Sequence, residues 1–426
     1  MARAVAQVRI ERLAAGGAGV GRWPDGRVVF VPRTAPGDRA EVELRAAHRR
    51  WLEGRLVRLI EPSPLRRPPP CPFATRCGGC PLEHLPEAAQ REAKRAFVAD
   101  AFARLGGQRV EVPPVVASPR AWRYRNRATF VLRRGRGVVA GFRGADHPDR
   151  VVDVDGRCLL LEDPLAAAWD GLRAAWGPGA ARLPAGPELR LTLRATATGE
   201  VGLLVEGGRG RGDPEPLRSA VPALRAVWGR RGGRLEPWAG AEALDERWNG
   251  ESVRLRGATF LQVNRAAAAE LERTVLDWAG DVRGRRVVDA YAGVALHGRR
   301  LARAGADVVA IELDADAVVA AREAAPPGLR VERARVEEAL PRWLPADLVL
   351  LNPPRAGLAP AVVAALRERP PRRLLYVSCD PATLARDVGR LTGAFRLTRV
   401  QPFDLFPQTA HVETVAELVA EPCATT

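Results

Sequence analysis

Lysine is almost absent from this chain: Lys94 is the only one among 426 residues. Arginine and alanine are abundant, a bias that follows a GC-rich coding sequence, so the choice of arginine over lysine carries no functional message. No apolar run approaches the ~20 residues that a membrane-spanning helix needs. Residues 1–11 contain no apolar core of signal-peptide type. These absences predict a soluble cytoplasmic protein with no membrane association. There is no internal repeat and no full Gly-x-Gly-x-x-Gly run of the dinucleotide-binding kind. Cysteine is scarce as well, at six residues, and three of them (Cys71, Cys77, Cys80) fall within ten positions. That clustering excludes the even spread of a small secreted disulfide framework and favours a metal-binding loop in a reducing compartment.

What is present is positive charge. The net charge is +16 and the sequence pI is near 11. A polyanion is the natural partner, because basic groups near phosphates gain binding energy by releasing counterions. Hydrophobic residues make up 46%, enough for a substantial core, and the length suggests two or three domains.

Three regions differ in pattern. Residues 1–60 alternate short apolar stretches (5–10, 28–31, 40–44, 52–59) with turn signals such as Gly16-Gly17, Pro24-Asp25-Gly26 and Pro36-Gly37-Asp38. This predicts a small β-barrel with 12 arginines against 6 acidic residues, a net of +6. It is read either as an OB-like nucleic-acid module or as a generic basic barrel. Residues 61–257 open with a proline-rich connector and the cysteine cluster, followed by an amphipathic helix over 87–105 with Ala93, Phe97, Ala101, Phe102 and Leu105 on one stripe. A mixed β-rich region comes next. Its stretch 122–134 interleaves aromatics and arginines, which suits either base stacking or a half-buried strand. The Gly/Arg stretch 207–212 reads as a loop. Residues 258–426 change to strands (286–290, 308–312, 329–331, 347–351, 374–378, 395–401, 412–419) with helices between most of them, such as 315–325 and 381–391. That alternation predicts an α/β, doubly wound Rossmann-like domain whose ligand lies beyond the carboxyl ends of the strands at the topological switch point.

Candidate site residues cluster at those strand ends. The first strand runs into Tyr291-Ala292-Gly293, where Gly293 lets the backbone turn closely around a ligand. Glu312 ends the second strand, 23 residues after Asp289, and a carboxylate there can accept from both hydroxyls of a ribose. The fourth strand runs into Asn352-Pro353-Pro354, a rigid edge. The fifth ends in Ser378-Cys379-Asp380-Pro381. A cysteine there faces the ligand crevice, and a helix N-terminus just beyond it would favour the thiolate; a buried, inert cysteine is the alternative. On spacing alone Glu413 is an ordinary strand carboxylate, sharing its face with Glu417. The cysteine loop, followed by Pro81, suits an iron–sulfur cluster or zinc equally on ligand type.

Four motifs carry a resemblance: Phe260-Leu261-Gln262-Val263-Asn264, Asn352-Pro353-Pro354-Arg355, Ser378-Cys379-Asp380-Pro381, and the long run from Phe403-Asp404-Leu405-Phe406-Pro407-Gln408-Thr409 to Ala410-His411-Val412-Glu413. With them the chain resembles the S-adenosylmethionine-dependent RNA 5-methyluridine methyltransferases, the uracil-5 methylases of tRNA and ribosomal RNA. The resemblance covers nearly the whole chain and likens the basic barrel to a TRAM domain. It implies Cys379 as nucleophile and Glu413 as base. It implies S-adenosylmethionine contacts at Gln262, Tyr291, Glu312 and Asn352, beside the Gly293 turn read as cofactor-binding above, and an aromatic near the target base at Phe260. It also implies Cys71, Cys77, Cys80 and Cys158 as ligands of a [4Fe–4S] cluster, with Cys423 a bystander. RNA is the implied partner, and no obligate protein partner is implied.

The chemistry requires such a pair. Carbon 5 of uracil is a poor nucleophile until a thiolate adds to carbon 6, and a base must then remove the carbon-5 proton. The departures cluster at the cofactor site. Asn352 stands for the usual Asp, Ala292-Gly293-Val294-Ala295-Leu296 for Cys-Gly-x-Gly plus a polar residue, and Arg335 for a polar or acidic one. Two rival readings are an RNA cytosine-5 methyltransferase and an RNA-binding protein with a degenerate cofactor pocket.

Overall fold

The computed structural model describes residues 4–257 and 259–422. Cys423 and the proposed boundary position 258 lie outside the described residues. The N-terminal region is a closed barrel of β1 (Val5–Leu13), β2 (Gly19–Arg22), β3 (Val28–Val31), β4 (Arg39–Ala47) and β5 (Trp51–Glu61), in the order β1-β2-β3-β5-β4. β2 was not among the expected strands, because Gly-Val-Gly-Arg looks like turn chemistry. Its glycines serve close packing instead. A Cβ at Gly19 would lie 2.0 Å from Thr34 Oγ1, and one at Gly21 would lie 2.4 Å from a Val8 methyl.

Helix α1 (Glu87–Leu105) follows the cysteine loop and packs on the C-terminal half of the chain. The expected stripe is buried at Phe97, Ala101 and Phe102, but Leu105 is 54% exposed, while Gln90 and Lys94 are fully buried.

The central sheet comprises β6 (Arg127–Arg134), β7 (Val138–Arg143), β8 (Val151–Asp153), β9 (Glu188–Ala195), β10 (Val201–Glu206), β11 (Leu224–Arg231) and β12 (Arg234–Gly240). Their order is β12-β11-β10-β9-β6-β7-β8, antiparallel except between β10 and β11. Helices α2 (Asp163–Ala175) and α3 (Pro214–Ala220) flank it. In β6 the half-buried-strand reading holds: Ala128, Phe130 and Leu132 alternate into the core. Phe130 stacks on Trp169 at 3.8 Å, and Tyr124, just ahead of β6, is buried, so neither is available to a base.

A hairpin of β13 (Leu244–Trp248) and β14 (Glu251–Leu255) leads to α4 (Arg265–Ala279). The doubly wound part then runs β15 (Arg286–Ala290), α5 (Leu296–Arg303), β16 (Asp307–Glu312), α6 (Ala315–Glu323), β17 (Leu329–Arg333), α7 (Val336–Trp343), β18 (Leu348–Leu351), α8 (Pro360–Glu368), β19 (Arg373–Ser378), α9 (Pro381–Leu391), β20 (Phe395–Phe403) and β21 (Glu413–Ala420). The sheet order is β17-β16-β15-β18-β19-β21-β20, with β20 and β21 antiparallel to their neighbours. The order reverses between β15 and β18. The crevice beyond their carboxyl ends is therefore the expected ligand position. No helix among the described residues is long and apolar enough to cross a membrane.

Candidate active site

A small cavity, of about 60 Å³, opens at that switch point. Its wall carries Gln262, Tyr291, Gly293 and Asn352, four of the five residues expected to touch the cofactor, together with Phe260, which is 53% exposed. Glu312 is set back from the wall. One carboxylate oxygen accepts from the Gly293 N–H at 2.8 Å, and the other from the Leu313 and Asp314 N–H groups at 2.7 and 2.8 Å. It shapes the loop while keeping spare acceptor capacity. Ala295, at the position where the resemblance expects glycine, keeps the left-handed conformation at φ 56°, which costs an L-residue about 1–2 kcal/mol. Trp248, Glu272 and His297 also line the cavity. Sequence reasoning missed all three, since none lies in a motif.

The other side of the β19 tip faces a cleft of about 510 Å³, lined by Cys379, Asp380, His411, Phe97 and Arg104, and by Arg12 and Phe30 of the barrel. Cys379 and Glu413 meet through strand register. Ser378 pairs with Thr414, so Cys379 and Glu413 are the next residues at the adjacent ends of β19 and β21. Glu413 is buried, and burial pushes its carboxyl up to about 7 against the opposing pull of the Arg355 guanidinium and a Gln262 hydrogen bond. Gln262 thus links the cavity wall to Glu413. Burial, then the Glu413 charge, push the Cys379 thiol up, while Arg355 offsets this in part with its charge and a hydrogen bond.

The expected help from the helix beyond Cys379 is absent. Asp380 caps α9 with its own carboxylate, accepting from Ala382 and Thr383 N–H at 2.9 and 3.1 Å, so a negative charge already occupies the helix N-terminus. Arg355 is the cation the site uses. It also lies 3.4 Å from His411 Nε2, and burial and Arg355 hold His411 neutral, at about 4.

The loop carrying His411 and Glu413 is held from several sides. Lys94 pairs with Asp404 at 2.5 Å and donates to the Phe406 carbonyl at 3.0 Å. Gln90 and Arg67 both donate to Gln408 Oε1, at 2.7 and 2.8 Å. Tyr124 donates to the Pro407 carbonyl at 2.9 Å and Asn264 to the Leu405 carbonyl at 3.0 Å. Asn264 also caps α4. The Phe260–Asn264 motif and the long C-terminal motif are thus one mechanical unit.

Residues 334–420 match the family described as tRNA (Uracil-5-)-methyltransferase, and residues 1–57 match the TRAM domain. An uncharacterised RNA methyltransferase of Thermosynechococcus vestitus is 36% identical, covering 97% of this chain and 98% of the relative. The 23S rRNA (uracil(1939)-C(5))-methyltransferase RlmD of Chromohalobacter salexigens is 34% identical over 97% of this chain and 89% of its own. The chain belongs to the RNA 5-methyluridine methyltransferase family. Among solved structures, the Pyrococcus abyssi tRNA (uracil-54, C5)-methyltransferase in complex with S-adenosyl-L-homocysteine superposes with a TM-score of 0.75 at 28% identity, covering 97% of this chain and 100% of that one. The protein is accordingly an S-adenosylmethionine-dependent RNA uracil-5-methyltransferase with an N-terminal TRAM barrel.

In this methyltransferase the four expected cysteine ligands are neighbours. Burial raises all four thiols, Cys158 to about 11, and at Cys80 the charge of Glu83 and then those of Cys158, Cys77 and Cys71 add to it. Backbone N–H groups already point at three of the sulfurs: Phe73 and Leu159 at Cys71, Gly79 at Cys77, Leu160 and Leu161 at Cys158. Such donors favour thiolate ligands. Among the described residues, no group of three or more His, Cys, Asp or Glu side chains is arranged to hold a metal ion.

Proposed function

We propose that this enzyme methylates carbon 5 of a uridine in tRNA or ribosomal RNA, with Cys379 as nucleophile and Glu413 as base. The observation that carries the reading is the register of β19 and β21, which sets the thiol and the carboxylate side by side with Arg355 against both. Gln262, Tyr291, Gly293, Glu312 and Asn352 would hold S-adenosylmethionine, which supplies an electrophilic methyl group when bound. An open cavity with these groups on or beside its wall speaks against a degenerate pocket.

Cys379 enters the reaction as thiolate and forms a bond to uracil carbon 6, turning the ring into an enolate whose carbon 5 is nucleophilic. Arg355 supplies the positive charge that favours the anionic forms of both Cys379 and Glu413. After carbon 5 carries the methyl group, Glu413 accepts the carbon-5 proton. The carbon 5–carbon 6 double bond re-forms and the Cys379–carbon 6 bond breaks. A carboxyl titrating near neutrality suits that proton transfer, and Gln262 keeps it aimed beside the cofactor cavity.

Cys71, Cys77, Cys80 and Cys158 would hold a [4Fe–4S] cluster. The N–H groups aimed at three of these sulfurs favour their thiolate forms, which such a cluster requires. Residues 1–60, 61–257 and 258–426 act on this reading as barrel, cluster-bearing and catalytic parts of a cytoplasmic enzyme.

The test separates two steps. Cys379→Ala should form neither covalent adduct nor methylated RNA. Glu413→Gln should still add to the base but release slowly, so a protein–RNA species that survives denaturation accumulates. An adduct in Cys379→Ala, or wild-type turnover in Glu413→Gln, would overturn the assignment. Nucleoside mapping of RNA from a strain lacking the protein then identifies tRNA or ribosomal RNA.

A further inference from the structure

The barrel carries an exposed aromatic stack that the catalytic reading leaves unused. The β4–β5 hairpin closes through Arg49 and Arg50, with His48 N–H donating to the Trp51 carbonyl at 2.9 Å. This turn sets the two flanking rings against each other. His48 and Trp51 are stacked with centroids 3.7 Å apart and planes 19° from parallel. Trp51 is 36% exposed, so part of its ring is open to solvent at the barrel surface. The pair is held in place from behind. Val28 is the β3 partner of Trp51, Phe30 presents its ring edge-on to Trp51 at 5.6 Å, Arg27 donates to the His48 carbonyl, and Glu53 lies 3.3 Å from His48 Nε2. Arg49 and Arg50 are exposed, and neither pairs with a carboxylate among the described residues.

Phe30 connects this tip to the chemistry. It lines the same cleft as Cys379 on one side and abuts Trp51 on the other. A strand leaving the nucleophile along the cleft and across Phe30 arrives at the His48–Trp51 stack. We propose that the β4–β5 tip is a docking platform for an unpaired RNA segment adjoining the target uridine. A base extends the His48–Trp51 stack, and Arg49 and Arg50 contact the neighbouring phosphates. Continuity with the cleft that RNA must enter, and the barrel's net charge of +6, favour RNA over a protein partner. The ring faces favour an unpaired strand over a duplex, whose bases are already stacked.

The full-length protein is titrated with a short oligoadenylate and with an RNA duplex of the same length. Trp51→Ala should weaken oligoadenylate binding about tenfold, the scale of one lost base–aromatic stack, and Trp51→Phe should restore most of it. Duplex binding should change little. Arg49→Ser combined with Arg50→Ser should lower the slope of log affinity against log salt by about 1.4, two phosphates at about 0.7 each. S-adenosylmethionine affinity serves as the folding control and should stay at the wild-type value. Oligoadenylate affinity in Trp51→Ala within twofold of wild type overturns the platform and leaves the stack as a protein-facing surface. Equal losses for single strand and duplex overturn it too. Wild type that binds neither probe overturns the platform together with the RNA role of the barrel.

Discussion

Glu413 and Glu417 lie on the same face of β21, both nearly inaccessible to water, and their electrostatic fates are opposite. Glu417 accepts from Arg373, Arg399 and Thr398, and those partners outweigh burial and hold its carboxyl at about 2. Glu413 has only the more distant Arg355 and one Gln262 hydrogen bond against full burial, and it rises to about 7. One strand thus holds a permanently ionised structural carboxylate beside one poised to exchange a proton.

The pH dependence of turnover follows. Glu413 must be ionised to take the carbon-5 proton, so the rate should rise with pH through about 7. Arg355→Met removes a lowering influence and should move that limb upward. Stability runs the other way. The folded carboxyl at about 7 lies above its unfolded value near 4.5, so its favourable contribution is complete below about 4.5 and lost as pH rises through 7. Glu413→Gln should flatten the denaturation midpoint across that window. A turnover profile without a limb between pH 6 and 8 would count against Glu413 as base.

Glu312→Ala should weaken S-adenosylmethionine binding by about 1.5–3 kcal/mol, the scale of a hydrogen bond to a charged group. Because Glu312 also holds the Gly293 loop, part of the loss comes from loop disorder. Calorimetry with S-adenosylhomocysteine reads it directly, and an unchanged affinity would place the ribose elsewhere.

Lys94→Met should be severe although Lys94 touches no substrate. It strands a buried Asp404 carboxylate, and breaking a buried pair from one side costs about 3–5 kcal/mol. The same change frees the loop that carries Glu413. Chemical denaturation should show the stability loss, and wild-type stability would show that Asp404 finds another partner.

Protein purified without oxygen should be brown and carry about four irons per chain. Cys158→Ser should lower the iron content, and stoichiometric zinc without iron would refute the cluster.

Much of this molecule is legible along the chain. Residues 286–290, 308–312 and 374–378 are local apolar runs, and the observed strands begin and end within a few residues of expectation. The stripe of α1 was legible for Phe97, Ala101 and Phe102, but not for Gln90 and Lys94. Periodicity treats polar residues as solvent-facing, and here they are buried by a loop more than 300 residues away. β2 was hidden for the converse reason, since its glycines answer to neighbours across the barrel.

By itself the sequence determined the motifs, the order of strands and helices, the basic barrel and the family resemblance, because these rest on residue identity and local period. Only the tertiary structure decided how those residues behave. It set Glu413 beside Cys379 through strand register, withheld the α9 N-terminus from the thiol by capping it with Asp380, and made Arg355 the shared counter-charge. Burial and the charges around a group set its protonation, and both depend on segments that meet only when the chain is folded.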